Sequence, residues 1–197
     1  MRDKWYADKR DLVKWGGIMH LLDKNKSIKK VIQVAYYRKD TWPSIDFNED
    51  KDPVNIPSHV LKHFRDINLI ANLDSRIEVY AQEFSHKTRQ QYTNDLCEMM
   101  KGIQEKKIVF LDPDTGLEPK KCKVENVKHC EVKQIFAALK SGDYLVFYQH
   151  KFFDSNWDEI RRSELAGSCG LSKSKIKTWK ANEIANDVIF FFIEKGR

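Results

Sequence analysis

The sequence lacks any apolar run that approaches the length of a membrane span, and its opening MRDKWYADKR is too charged for a secretory leader. Glycine and proline are sparse. With 8 and 5 of them in 197 residues, the composition is neither collagen-like nor that of a flexible linker. There is no internal repeat. Cysteine is also scarce: the 4 present, Cys97, Cys122, Cys130 and Cys169, form no CxxC pair. That pattern excludes a disulfide framework and fits a reducing cytoplasm, the expected location. Cys122, His129 and Cys130 show no fourth ligand, and adjacent ligands are geometrically awkward, so no zinc site is expected.

What is present suits a globular chain: 41% hydrophobic and 32% charged residues, enough for one core and one domain spanning residues 1–197. Lysine and arginine number 35 against 29 acids, a net charge of +6. The excess gathers in DKNKSIKK, EPKKCKVENVKH and RRSELAGSCGLSKSKIKTWK. It points to a polyanionic partner rather than a cationic one, although a lysine-rich solvated surface gives the same count.

Apolar spacing in DKRDLVKWGGIMHLLDK predicts a helix, with Asp8 or Asp11 as its cap. Gly16 and Gly17 inside it mark close packing or a break. KKVIQVAYY reads as a strand, and RKDTWPSIDFNEDKDPVNIP, which holds 3 of the prolines, as a loop. SHVLKHFRDINLIANL and SHKTRQQYTNDLCEMMKGIQEK are helical, with the strand RIEVYAQEF between them. The second half alternates strand KIVFLDPD, a helix within VENVKHCEVKQIFAALKSGD, strand YLVFYQH, helix DSNWDEIRRSELAGSC, and strands KIKTWKA and NDVIFFFIEKG. The last connection is too short for a helical crossover, so these strands must pair antiparallel. The expected fold is α/β: a three-layer sandwich whose mostly parallel sheet ends in an antiparallel hairpin.

FLDPD, IFAALKSGDYLVFY and KIKTWKANEIANDVIFFFIEKG, together covering Lys106 to Gly196, resemble the second half of the class I methyltransferase-like Rossmann fold. The whole chain also resembles a set of bacterial proteins with an N-terminal DLVK helix and an internal LDPDTG, a likeness that implies no particular activity. The methyltransferase resemblance implies a Rossmann-like layout and, in its ordinary form, S-adenosylmethionine. That family carries a glycine-rich turn after its first strand, where backbone and cofactor meet. VIQVAYYRKDTW, Val31 to Trp42, has no glycine there, and no cofactor is therefore expected.

Ligands of open α/β sheets gather beyond the carboxyl ends of parallel strands. Asp112 and Asp114 follow one such end, and Gln149 and His150 the next, which makes these four the candidate catalytic residues. A carboxylate there can deprotonate water or stabilise a sugar cation. Asp112 and Asp114 together can instead hold Mg²⁺, or simply form a turn around Pro113. A PD…(D/E)xK pattern from Pro113-Asp114 to Glu131 and Lys133 has its second half on a predicted helix, where that motif needs a strand. Lys9, Arg10, Lys14, Arg161, Arg162, Lys173 and Lys175 are candidate phosphate contacts. Phe152, Phe153 and Trp157 are candidate base-stacking side chains, with core packing as the plainer role for such aromatics.

These features lead to the expectation of a nucleic-acid-acting hydrolase whose partner is DNA, modified or single-stranded, and of a DNA glycosylase in particular. The rivals are an S-adenosylmethionine-dependent methyltransferase, a metal-dependent nuclease built on the Asp-x-Asp pair, and a Rossmann-like binding module without catalysis.

Overall fold

A computed structural model describes residues 1–41 and 54–196, and most of the proline-rich loop predicted between the first strand and the next helix lies outside them. Helix α1 (Lys9–Lys24) precedes strand β1 (Lys30–Val34); α2 (Ser58–Phe64) leads to β2 (Ile77–Tyr80), and α3 (Arg89–Gly102) to β3 (Lys107–Leu111). Two short strands, β4 (Gly116–Leu117) and β5 (Asn126–Val127), pair parallel with each other outside the main sheet. Then come α4 (His129–Ala138), β6 (Tyr144–His150), α5 (Trp157–Cys169), β7 (Lys177–Ala181) and β8 (Ala185–Glu194).

The main sheet has six strands in the order β2-β1-β3-β6-β8-β7. The first four run parallel, and β8 lies antiparallel between β6 and β7. This is the mostly parallel α/β sheet ending in an antiparallel C-terminal hairpin that the sequence predicts. The small β4–β5 sheet has no counterpart in that prediction, because two-residue strands carry no periodicity. The segment SHVLKHFRDINLIANL is also not one helix. It breaks after Phe64, and Asp66 caps a separate 3₁₀ turn over Ile67–Asn72 by accepting from the Asn68 amide at 2.9 Å.

Strand residues alternate between two cores, as pleating requires. Ile32, Val34, Val109, Leu111, Leu145 and Phe147 pack with residues of α3, α4 and α5 on one face. Val31, Ile108, Phe110, Val146, Tyr148 and Phe190 meet Val13, Trp15, Ile18 and Leu22 of α1 on the other. The result is a three-layer sandwich. Strand β3 is pinned at its amino end by a buried ion pair, Lys107 Nζ to Asp143 Oδ2 at 2.9 Å. Asp143 also accepts from the Lys107 and Lys140 backbone amides, so few of its lone pairs are left unused.

Asp8 caps α1 through the Arg10 and Asp11 amides, and the helix passes through both glycines unbroken. Gly17 is where the hairpin lies against it. A Cβ there would collide with the Trp179 indole, whose Nε1–H donates to the Val13 carbonyl at 3.2 Å and whose ring stacks on Phe190 at 5.2 Å. Gly16 faces open space.

The two glycines therefore differ in their response to a methyl group. Gly17→Ala is expected to destabilise the protein by about 1–3 kcal/mol through overpacking. Gly16→Ala is expected to stabilise it by about 0.5–1 kcal/mol, the helix-propensity difference. Urea denaturation of the two variants measures both; equal shifts of the same sign would contradict this account of the α1–β7 contact.

Candidate functional site

In a sheet ordered β2-β1-β3, the chain leaves β1 toward one side and then returns past it to the other. A crevice opens beyond the carboxyl ends of the strands at that reversal. A cavity of about 400 Å³ lies there. Asp112, Asp114 and Thr115 enter it from the end of β3, Arg38 from beyond β1, and Tyr148 and His150 from the end of β6. The remaining wall is the N-terminal segment, including Trp5, together with Lys14 on α1.

Asp112 and Lys14 form its floor. Both are buried, at 2% and 3% exposure. Lys14 Nζ donates to Asp112 Oδ2 at 2.9 Å and to Asp11 Oδ1 at 2.6 Å, and lies 5.8 Å from the ring centroids of both Phe110 and Tyr148. Gln33 Nε2 donates to the same Asp112 oxygen at 2.7 Å. Asp112 Oδ1 has no donor among the described residues. Burial opposes the Lys14 charge, yet Asp112 and Asp11 outweigh it and hold the ammonium above its ordinary value. Burial likewise lifts the Asp112 carboxyl above the usual carboxylate range, against the pull of Lys14. The proton stays on the lysine.

Asp114 belongs to a second network nearer solvent. Arg38 bridges Asp114 and Glu125, the latter at 2.8 Å, and the Met1 amino group lies 3.0 Å from Asp114 Oδ1. That amino group donates to the Ala35 and Tyr36 carbonyls just past β1. On the third side Arg10 donates to Asp187 at 2.5 Å and to Asp8 at 2.9 Å. His150 Nε2 sits 3.4 Å from Asp187 and its Nδ1 3.2 Å from the Lys151 carbonyl, so both ring nitrogens face partners at the cavity edge. Burial opposes ionisation of Asp187, but Arg10 holds its carboxyl below the ordinary range.

Gln149 stands apart from the other three candidates. Strand alternation turns it to the face opposite His150, fully buried. There its Oε1 accepts from the Leu117 amide at 2.9 Å, and its Nε2 donates to the carbonyls of Thr115 at 3.1 Å and His150 at 2.8 Å. Gly116, at φ 111°, lets this amide approach, since a Cβ would collide with Oε1. Gln149 thus shapes the Asp112–Leu117 loop from behind.

The predicted phosphate contacts are scattered. Lys9 is exposed, Arg10 is tied to Asp187 and Asp8, and Lys14 is buried beneath the cavity. Arg161 is buried, donating to the Glu118 carbonyl and Glu164, with its guanidinium 4.3 Å from the Phe152 ring centroid. Arg162 donates to the Ile176 carbonyl, and Lys173 pairs with Glu159. Lys175 is exposed far from Asp112, at the start of the hairpin. Trp157 packs against the core, while Phe153 is fully exposed. Glu131 sits on α4 and is bound to Arg89 at 2.5 Å. Among the described residues, no three His, Cys, Asp or Glu side chains are arranged to hold a metal ion.

Sequence reasoning misses Gln33, Arg38 and Asp187. Gln33 has a readable signal, a polar residue inside the apolar run VIQVA; the other two join the site only through tertiary contacts. Searches with protein-family models and against curated proteins returned no match.

Removing the buried ammonium leaves Asp11 and Asp112 facing one another in low dielectric. Lys14→Met is expected to destabilise the fold by about 3–5 kcal/mol, and adding Asp112→Asn is expected to recover part of the loss. Additive losses in urea denaturation would show that the two side chains are not coupled. The Asp187 link is pH-dependent. Because its folded carboxyl lies below the unfolded value of about 3.9, its contribution is present above that pH and is lost as pH falls through the folded value. The stability gap between wild type and Asp187→Asn, roughly 0.5–1 kcal/mol at neutral pH, should close in acid; a gap of constant size would refute the assignment.

Proposed function

We propose that the protein is a nucleic-acid-acting hydrolase that cleaves an N-glycosidic bond in DNA, with the cavity above Asp112 as its reaction centre. The observation that carries this reading is the state of Asp112. Lys14 and Gln33 occupy one of its oxygens, and the other, at the cavity floor, has no donor among the described residues. Burial raises the Asp112 carboxyl above the usual carboxylate range, and a carboxylate so raised is a stronger base than a solvated aspartate. The cavity is of a size that takes small ligands. Trp5, 49% exposed, offers an aromatic wall for an extruded base, while Arg2 and Lys4, which share Asp40, stand beside it on the cavity wall.

In the reaction, Asp112 takes a proton from water as the water oxygen bonds to C1′. The C1′–N bond breaks, its electron pair leaves with the base nitrogen, and that nitrogen takes up the proton that Asp112 received from the water, which restores the carboxylate. As positive charge develops on the sugar, the Asp112 carboxylate stabilises it. Asp114 and Arg38, joined to each other and to Glu125, hold the neighbouring loop. Gln149 positions that loop, and His150 is held at the rim by Asp187.

A second reading has one specific observation behind it. The order β2-β1-β3-β6-β8-β7, with β8 reversed, suits the layout implied by the methyltransferase-like resemblance. Fold alone hosts many chemistries, and so it carries less weight than the site.

Both readings meet in one experiment. On a panel of modified and unmodified DNA the wild type is expected to leave abasic sites that break only in hot alkali, with EDTA present. Asp112→Asn, which keeps shape and loses charge, is expected to lower the rate by about 10²–10³-fold while still binding DNA. Transfer of a labelled methyl group from S-adenosylmethionine would replace the hydrolase reading with the methyltransferase, and Mg²⁺-dependent strand scission would replace it with a nuclease.

A further inference from the structure

At the opposite end of β6, where that strand begins and β8 ends, a second concavity of about 610 Å³ opens between Tyr144, Lys175, Lys177, Phe192 and Lys195. Strand pairing sets Asp112, one residue past Leu111, level with Tyr148, so the concavity at Tyr144 lies roughly 13 Å from it along the strand at ~3.3 Å per residue. Lys195 also borders an adjoining hollow that contains Lys133, and the two hollows joined at Lys195 make a lysine-lined track around the end of the sheet, from Phe192 on the α1 face to Phe136 on the other.

The charge of this track is uncompensated. Some lysines elsewhere are paired, Lys173 with Glu159, Lys180 with Asp158 and Lys101 with Glu98, while, among the described residues, others such as Lys62 and Lys87 stand singly on the surface. Lys133 and Lys175 are exposed and have no acidic partner among the described residues. Lys177 and Lys195 lie over aromatic rings, 6.0 Å from the Phe192 centroid and 4.1 Å from that of Phe136. Those contacts hold the ammonium groups in place without cancelling their charge. One acid, Glu194, lines the concavity, and it faces Lys106 at 3.7 Å. The hydroxyl groups of Ser141 and Ser174 add donors on the same wall.

We propose that this track binds the sugar–phosphate backbone of a nucleic-acid strand, at a site separate from the Asp112 cavity. Ammonium groups lining one concave surface, with hydroxyl donors beside them, can meet successive phosphates, and each contact releases condensed counterions. The surface is concave, and none of the large apolar side chains exposed among the described residues lines it. A lipid surface would instead require protruding apolar residues beside the lysines. The inference shares its nucleic-acid partner with the proposed activity but none of its residues.

The test is fluorescence anisotropy of a labelled single-stranded DNA oligonucleotide over a salt series. The proteins compared are wild type, Lys175→Glu/Lys177→Glu, Asp112→Asn and a remote control, Lys62→Glu/Lys87→Glu. Thermal melts check that each is folded. The Lys175/Lys177 variant is expected to bind about tenfold or more weakly at low salt, with a log–log salt slope shallower by roughly 0.7 for each phosphate no longer neutralised. Asp112→Asn and the remote control should match wild type. An equal weakening in the control would mean diffuse charge attraction, and no binding by wild type would mean that there is no such partner; either overturns the proposal. So does binding of phosphatidylserine vesicles, but not of DNA, that disappears in the Lys175/Lys177 variant. Failure to form abasic sites bears only on the Asp112 reading, because the binding assay needs no catalysis.

Discussion

Strand β3 is held at both ends by buried ion pairs, and the rest of the site depends on the one at its carboxyl end. Lys14 ties α1 to Asp112, just as Lys107 ties Asp143 to the strand's amino end. Such pairs add little net stability, because desolvation offsets most of their attraction, but they punish any other arrangement of the same chain. With Lys14 in place, α1 has one position along the sheet. The segment before α1 then crosses the carboxyl ends of β1 and β3 and becomes a wall of the cavity.

The same constraint separates the two aspartates into different chemical situations. Asp112 is buried against a buried cation and a glutamine, which share one of its oxygens, and the other has no donor among the described residues. Asp114, two residues on, lies outside the strand and is drawn into the Arg38–Glu125 network. A spacing that reads in sequence as a matched carboxylate pair is, in three dimensions, one candidate reacting group and one loop-holding group. Gln149 and His150 divide for a simpler reason: neighbours on a strand point to opposite faces. The amide therefore braces the loop from the α4–α5 side, and the imidazole reaches the rim.

Much of the architecture is legible in the chain because it rests on periodicity. Alternating apolar runs and amphipathic helices define a sheet covered on both faces, and the short link before NDVIFFFIEKG requires an antiparallel partner. The break between Phe64 and Ile67 and the β4–β5 pair are not legible, because they depend on a single cap and on two-residue strands. Asp112 stands out as a residue beyond a strand end. Lys14 is visible only as one more cation on a charged helix.

Local pattern and chain connectivity are enough to define the α/β class, the order of the principal elements, and the strand end at which a ligand would gather. Which charges are neutralised and which stay free emerges only when the chain is folded. Arg161 and Arg162 look like phosphate contacts in the chain and prove to be bonded to Glu118, Glu164 and Ile176, whereas Lys195 is unremarkable in sequence and joins an open basic track. The reason is physical: a side chain's charge is local information, but its burial and its partner are set by residues up to 177 positions away, as with Arg10 and Asp187.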